Sequence, residues 1–256
     1  VGARKCLDAT AEIFDHRSGR RRSASEIGPA RVTTLAGDPT TADAPVFASG
    51  RKPCVRVRLA DGSEIVASTD HPLLTARGWV EAEQILGSDR VAVATRVPAP
   101  ERFTVATGDE VALVAYLLSD GSCSRGTMGF TNETPAVISD FQRCSTAVCG
   151  GWSEQPSTSK ARQFRVLGAQ PVRRRVDGAR KGHRYGPQNG FRNKWDLYGL
   201  AKEKRTHPAL WGLPRAQVAL FVNRFWACDG HVSASGVELT LASEKLIDDL
   251  KFLLLR

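Results

Sequence analysis

Two apolar helical runs, each closed by an Asp-Gly pair, dominate the hydrophobic pattern of the chain. They are LVAYLLSDG at 113–121 and VNRFWACDG at 222–230. Glycine commonly ends a helix in the left-handed conformation, whereas a carboxylate at that end opposes the helix dipole. One such ending is ordinary turn chemistry. Two of them predict a pseudo-twofold seam that brings Asp120 and Asp229 together, where paired carboxylates can hold divalent cations beside phosphates.

The pattern after each run is also repeated, because strand-like and then helix-like segments follow both. We predict a helix that begins at Asp109 as its N-cap and a second motif helix over 216–229. The remaining segments of this half are predicted as strands at 126–132, 163–167 and 236–242 and as helices at 135–148 and 244–255. The order helix, strand, helix therefore forms an internal repeat.

The first hundred residues show short alternating segments and no long helix. Strands are predicted at 10–14, 55–59, 64–68 and 90–94, with short helices at the end of 17–28 and at 81–86. Ala60-Asp61-Gly62 is the predicted turn of a hairpin. The stretch 98–108 carries proline and glycine and is predicted to join two domains. The fold class expected is α+β.

Composition excludes a membrane-spanning or disulfide-stapled protein. The 256 residues are 41% hydrophobic and 25% charged, without an apolar run of 18 residues or a charged leader followed by an apolar segment. We therefore expect a soluble, cytoplasmic monomer with no membrane partner. Six cysteines in a chain of this length indicate reduced thiols, at least one of them with a chemical role.

Positive charge is concentrated in residues 160–205. This segment has fourteen lysines and arginines against three acids, a net +11, whereas the whole chain carries +9. A solvated basic loop is the alternative to a nucleic-acid surface, but Tyr185, Phe191 and Trp195 interleave with the cations and favour nucleic acid. The predicted DNA-binding residues are Arg173, Arg174, Arg175, Arg180, Lys181, Arg184, Arg192 and Lys194.

The two Asp-Gly runs resemble the paired motifs of LAGLIDADG homing endonucleases. Ala115 and Ser119 stand at the small positions that allow two motif helices to approach closely, and Arg224 and Cys228 stand there in the second copy, Arg224 departing from the pattern. The resemblance implies a saddle of two α/β units whose β-surface lies on DNA. It also implies Mg²⁺ held by Asp120 and Asp229, and a basic residue near the cleavage centre, for which Lys204 (or Lys202) is the match.

Cys6, the stretch SEIVASTDHPLLT at 63–75 and the strand VAV at 91–93 resemble the N-terminal half of an intein splicing domain. Ser68-Thr69-Asp70-His71 stands where that family has Thr-x-x-His. The resemblance covers about residues 6–97 and implies the Hedgehog/intein horseshoe of strands. The expected domains are an upstream host segment at 1–5, a splicing part at 6–99 and a LAGLIDADG part at 100–256. No His-Asn dipeptide is present, so the last splicing blocks are expected to lie elsewhere.

These residue types suit an acyl shift at Lys5-Cys6. The Cys6 thiol would attack the Lys5 carbonyl, because even the small thiolate fraction of a free thiol, whose pKa is about 8.5, is a good nucleophile. His71 would protonate the leaving nitrogen, and Ser68 would steady the oxyanion. This chemistry needs no cofactor.

The function predicted is that of an intein: protein splicing initiated at Cys6, plus site-specific cleavage of double-stranded DNA. The partners are a DNA homing site and the host protein (extein) in cis. Two alternatives remain open. One is a LAGLIDADG-like protein that binds DNA without cutting it, and the other is a Hedgehog/intein autoprocessing domain without nuclease function.

Overall fold

The computed structural model describes residues 6–34, 39–123, 127–168, 190–197, 203 and 205–256. It divides into two compact units, which we call unit 1 (Val1–Thr104 with Leu255–Arg256) and unit 2 (Val105–Leu254). The fold is mixed α/β with several small sheets. Among the helices of the described residues, none has the length and apolar character needed to cross a membrane.

Unit 1 is built from antiparallel two-stranded ribbons of strands adjacent in the chain. The strands are β1 (Glu12–Asp15), β2 (Arg20–Ser23), β3 (Ala30–Thr34), β4 (Thr40–Ala44), β5 (Cys54–Arg58), β6 (Glu64–Ser68), β7 (Pro72–Thr75) and β8 (Gly78–Glu81). They pair as β1–β2, β3–β4, β5–β6 and β7–β8. In the β5–β6 hairpin, Gly62 adopts φ +82°, as the predicted turn requires.

Three sequence-based expectations for unit 1 differ from the structure. The segment 17–28 contains strand β2 and no helix, because Gly19 (φ +66°) lets the chain reverse and pair Ile13 with Arg22. A single 3-10 turn, Ala82–Gln84, stands in place of the short helix at 81–86. The expected strand at 90–94 is reduced to one bridge between Val91 and Thr75.

Unit 2 carries the helices of the described chain. They are α1 (Gly108–Leu118), α2 (Pro135–Cys149), α3 (Gly190–Lys194), α4 (Arg215–Asp229) and α5 (Glu244–Leu255), whose last residue belongs to unit 1, and a 3-10 helix spans Pro208–Gly212. The strands are β9 (Gly121–Cys123), β10 (Met128–Asn132), β11 (Trp152–Gln155), β12 (Arg162–Val166), β13 (Gly230–Ser233) and β14 (Gly236–Leu239). The order α1-β9-β10-α2 is thus repeated as α4-β13-β14-α5.

Helix α1 is capped two residues earlier than the sequence suggested. The N-cap is Thr107 and not Asp109, because Thr107 and Glu110 form a reciprocal capping box. The Glu110 amide donates to Thr107 Oγ1 at 3.2 Å, and the Thr107 amide donates to Glu110 Oε2 at 3.0 Å. Asp109 instead lies in the first turn and pairs with Arg143 of α2.

A four-stranded sheet in the order β11-β12-β10-β9 packs one face against α2. Phe130 and Phe164 are buried on this face, and the Phe130 ring stacks on Phe141 of α2 with centroids 4.2 Å apart. Because side chains alternate along a strand, Gly129, Thr131, Gln163 and Arg165 lie on the opposite face. This second face is the part of the sheet open to solvent.

Candidate functional sites

In unit 1, Cys6 is docked along the end of strand β6. The Ser68 amide donates to the Cys6 carbonyl at 2.9 Å, and the Cys6 amide donates to Ser68 Oγ at 3.2 Å. Leu7 continues the pairing as an antiparallel bridge to Ala67. The nitrogen of the Lys5–Cys6 peptide bond is therefore held by a side-chain oxygen. Lys5 itself lies outside the described residues.

The Ser68 hydroxyl connects this nitrogen to Asp70. Ser68 is buried, and its hydroxyl hydrogen-bonds to the Asp70 carboxylate. This hydrogen bond is the main cause of the lowered pKa of Asp70, and the charge of Lys52, whose Nζ is 4.0 Å away, lowers it further. A carboxylate can only accept, so the Ser68 proton points to Asp70 and a lone pair of Ser68 faces the Cys6 amide. This geometry places Ser68 Oγ at the nitrogen of the Lys5–Cys6 bond, whereas the expected role in steadying an oxyanion concerns the Lys5 carbonyl.

His71 lies at the same end of β6, one turn after Ser68. Its amide donates to the Ser68 carbonyl at 2.8 Å, and its carbonyl accepts from the Ala82 amide at 2.8 Å. The His71 Nδ1 atom is buried. The structure thus brings Cys6, Ser68 and His71, three residues chosen from the sequence, to one strand end.

Sequence reasoning missed a fourth residue of this cluster. Ser49 Oγ lies 2.8 Å from Cys6 Sγ, although 43 positions separate the two residues. Ser49 belongs to an irregular segment between β4 and β5 and carries no periodicity or motif that would have marked it.

In unit 2, helices α1 and α4 pack side by side in parallel. Near their N-termini, Gln217 Nε2 donates to the Ala106 carbonyl at 2.7 Å, and Leu220 lies 3.5 Å from the position of a Cβ on Gly108. Near their C-termini, the Cys228 thiol interacts with Ser119 and Asp120. The two Asp-Gly endings therefore lie at the same end of the helix pair.

Asp120 and Asp229 both act on the thiol of Cys228. The pKa of Cys228 is raised to about 12, first by burial and also by the nearby charges of Asp120 and Asp229, against a hydrogen bond with Ser119 that lowers it. Asp120 Oδ2 also accepts from Asn132 Nδ2 at 2.6 Å. The structure thus gathers both predicted carboxylates around Cys228.

The glycines after these aspartates serve a purpose different from the one expected. Neither Gly121 nor Gly230 adopts a positive φ, because each begins a strand directly after its aspartate. A Cβ on Gly121 would lie 2.2 Å from the Leu117 carbonyl oxygen, and a Cβ on Gly230 would lie 2.5 Å from that of Trp226. Each glycine is required because the chain passes over the carbonyl four residues earlier.

Arg224, which departs from the small residue of the motif, is accommodated by a partner on α2. Its Nε donates to Asp140 Oδ2 at 2.7 Å, and the Tyr116 hydroxyl donates to the same oxygen at 2.8 Å. Burial alone would raise the pKa of Asp140, but hydrogen bonds from Arg143, Tyr116 and Arg224 outweigh burial and lower it. The arginine is therefore neutralised, and the α1–α4 contact is kept.

Two carboxylates at a shared helix end are hard oxygen ligands and fit a hydrated Mg²⁺, which commonly uses one or two carboxylates beside phosphate oxygens. The Cys228 sulfur is a soft ligand and does not suit Mg²⁺, which prefers carboxylate, carbonyl and water oxygens. Within the described part of the chain, no cluster of three or more His, Cys, Asp or Glu side chains is arranged to hold a metal ion. Such a site would accordingly need ligands from outside these side chains.

Most of the predicted DNA-binding residues lie outside the described residues, as does Lys204. The predicted DNA-binding residues outside the described part are Arg173, Arg174, Arg175, Arg180, Lys181 and Arg184. The two that are described belong to α3, where Lys194 Nζ pairs with Glu110 of α1 at 2.7 Å and Arg192 is partly exposed.

The open face of the four-stranded sheet was not singled out from the sequence. Strand registers align two polar rows across it: Ser153, Arg165, Gly129 and Ser122 in one, and Gln155, Gln163 and Thr131 in the other. Within these rows, no side chain is acidic. A sequence signal existed, since residues 163 and 165 alternate with the apolar 164 and 166.

Comparison with known proteins confirms the resemblance found in the sequence. Residues 216–256 match the LAGLIDADG-like domain family. Over 98% of its length the chain is 26% identical to the protein RecA of Mycobacterium tuberculosis, of which it covers 32%. It is 25% identical over 82% of its length to the replicative DNA helicase DnaB of Rhodothermus marinus (22% covered) and 23% identical over 82% to the DnaB helicase of Synechocystis (24% covered).

The chain thus spans between about a fifth and a third of the length of these relatives. Among solved structures, it is similar to a DnaB intein from Synechocystis, with a TM-score of 0.33 and 18% identity over 35% of this chain and 69% of the other.

Proposed function

We propose that the chain is an intein whose unit 1 breaks the Lys5–Cys6 peptide bond by an acyl shift. The observation that carries the proposal is the docking of Cys6 on β6, where the Cys6 amide donates to Ser68 Oγ. The shift must turn this amide nitrogen into a leaving group. A fixed scissile nitrogen next to a nucleophilic side chain of the same residue is the arrangement that the reaction needs.

In this proposal, Cys6 Sγ attacks the Lys5 carbonyl carbon, and the C–N bond breaks as the new C–S bond remains. The sulfur loses a proton and the nitrogen gains one, so the net step is an isomerisation. His71 supplies the proton to the nitrogen, since its unperturbed pKa of about 6.5 suits proton transfer near neutral pH. Ser68, fixed by Asp70, orients the nitrogen.

The test is release of the residues upstream of Cys6 by added thiol, with a complementing C-terminal splicing fragment supplied and the products weighed by mass spectrometry. Cys6→Ala is expected to abolish release, and His71→Ala to slow it by about 10²- to 10⁴-fold, the usual contribution of a general acid. His231→Ala, at an exposed position on β13, is the matched control. Release that persists in Cys6→Ala would refute the proposal.

A second function, hydrolysis of duplex DNA, is supported by the geometry of unit 2. The parallel packing of α1 and α4 brings Asp120 and Asp229 around Cys228. In this proposal these carboxylates hold Mg²⁺, which would stabilise the charge that develops on a phosphodiester. Asn132 keeps the Asp120 carboxylate oriented. Non-specific affinity comes from phosphate contacts of the basic segment 160–205.

The second test is cleavage of a DNA duplex that joins the coding sequences flanking this chain in its gene. Asp120→Asn and Asp229→Asn are expected to abolish cutting while leaving DNA binding within a few fold. Asp248→Asn, at an exposed position of α5, is the control. If both aspartate variants bind but neither the parent nor the control cuts, the DNA-binding alternative without cleavage replaces this proposal.

The open sheet face supplies the base-reading surface in this proposal. Arg and Gln side chains form paired hydrogen bonds with guanine and adenine edges, and Arg165 and Gln163 are exposed there. Arg165→Ala should cost about 1–3 kcal/mol and relax specificity at one position. Arg162→Ala is the matched control on the same strand, because Arg162 already pairs with Glu154. Equal losses in both variants would show that Arg165 contributes only charge.

A further inference from the structure

We infer that Ser49 is a further catalytic residue of the proposed acyl shift, because its hydroxyl holds the Cys6 thiol and stabilises the thiolate. The inference rests on the proposed function of Cys6. It starts from one contact, the 2.8 Å between Ser49 Oγ and Cys6 Sγ. A hydroxyl can accept from the thiol and donate to the thiolate without moving its oxygen.

The segment that carries Ser49 is fixed to the same strand end as Cys6. Gly50, with φ +88°, turns the chain directly after Ser49. Lys52 then pairs with Asp70, and the Pro53 carbonyl accepts from the Thr69 amide at 3.2 Å. Two attachments, made three and four residues after Ser49, therefore tie its segment to the residues between Ser68 and His71. The segment is irregular, but its position relative to the cluster is determined.

With this contact, two different serines bind the two reacting atoms of Cys6. Ser68 Oγ accepts a hydrogen bond from the Cys6 amide, the nitrogen that must leave. Ser49 Oγ contacts the Cys6 sulfur, the atom that must attack. When the thiol proton departs, the Ser49 hydroxyl donates to the sulfur anion, and the anion then forms the C–S bond to Lys5. The departing proton goes to solvent and the nitrogen receives one from His71, so the step remains an isomerisation.

The experiment measures the rate of Cys6 alkylation by iodoacetamide at neutral pH in the full chain, read by peptide mass spectrometry. It also measures thiol-induced release of the upstream residues under the complementing conditions above. Hydrogen bonds to charged groups shift equilibria by about one to two powers of ten. For Ser49→Ala we therefore expect both the alkylation of Cys6 and the release of the upstream residues to slow about tenfold.

Ser49→Thr keeps the hydroxyl and should restore both values. Phe47→Ala, in the same segment and 77% exposed, controls for disturbance of the segment and should match the parent. The alkylation rate does not depend on splicing, so a parent chain that never releases its upstream residues would count against the proposed function alone. An unchanged alkylation rate in Ser49→Ala, with folding intact by circular dichroism, would overturn the inference, as would a Ser49→Thr rate equal to that of Ser49→Ala.

Discussion

The two units hold their candidate sites by different means. In unit 2, eight consecutive residues of α1, from Val111 to Leu118, are buried, and the Asp-Gly ends follow from helix packing. In unit 1, Cys6 is half-buried and is held by two hydrogen bonds with Ser68 at a strand end and one with Ser49 of an irregular segment. A site built on a packed helix pair depends on close steric fit, whereas a site built from hydrogen bonds depends on individual polar partners.

This difference predicts that the largest loss of stability from a single substitution occurs in unit 2. Gly121→Ala should destabilise unit 2 by about 3 kcal/mol, because the new methyl would lie 2.2 Å from a backbone oxygen that cannot move without unwinding α1. Gly230→Ala should cost about 2 kcal/mol for the same reason, with its closest approach at 2.5 Å. The measurement is urea unfolding followed by helical circular dichroism.

Gly108→Ala is the control for that experiment. Gly108 lies in α1, the helix that ends shortly before Gly121. A Cβ on Gly108 would contact only Leu220, at an ordinary van der Waals distance of 3.5 Å. Gly108 is also the first residue of α1, where alanine is tolerated as well as glycine, so this substitution should leave stability nearly unchanged. If Gly108→Ala and Gly121→Ala have equal effects, the close passage over the Leu117 carbonyl is not what requires glycine at 121.

The second prediction concerns the polar group within the packed helices. Asp140→Ala should cost about 2–3 kcal/mol, because Arg224 would lose its partner on α2 and the buried Tyr116 hydroxyl would lose its acceptor. Arg224→Ala restores the small residue of the motif and leaves Asp140 with Arg143, so about 1 kcal/mol is expected. The exposed pair of Glu154 with Arg162 is the comparison, since Glu154→Ala should cost less than about 1 kcal/mol.

Acid provides an independent check on this group. The pKa of Asp140 is lowered by its partners, so its stabilising effect is present above the ordinary Asp pKa of about 3.9 and is lost as pH falls through the lower folded value. Asp140→Asn should therefore flatten the decline of stability between about pH 5 and pH 3. An acid profile that matches the parent chain would show that Asp140 contributes no charge interaction.

The packed helices were easier to predict from the sequence than the short strands and the polar contacts. Helices α2, α4 and α5 were predicted to within one residue, because long apolar periodicity leaves few alternatives. Strand β2 was missed, since RRRS has no alternation and its hairpin depends on one turn glycine. The pairing of Arg224 with Asp140 spans 84 residues and that of Ser49 with Cys6 spans 43, so only the fold brings these partners together.

The smallest effect is expected in unit 1, from the buried His16. Its Nε2 lies 2.8 Å from Thr33 Oγ1 and its Nδ1 lies 3.4 Å from the Ala99 carbonyl. Burial lowers the pKa of His16, and the charge of Arg256 lowers it further, against the opposing effects of the Ala99 carbonyl and Asp15. The ring therefore remains neutral in the folded chain at a pH where it is charged in the unfolded chain.

The sign of the pH effect follows from this difference. Below about pH 6.5, the ordinary pKa of histidine, His16 binds a proton in the unfolded chain but stays neutral in the folded chain. The free energy of unfolding therefore falls as pH drops, by at most about 1.4 kcal/mol per pH unit. Hydrogen exchange of peptides covering β1 to β3 should accordingly be faster relative to peptides of α1 at pH 5.5 than at pH 7.5, after correction for intrinsic rates. His16→Gln should remove the difference, whereas His231→Gln, at an exposed position, should not. Because the effect is confined to one polar contact network, protection in α1 should stay constant; a parallel loss in both units would mean that the pH response does not originate at His16.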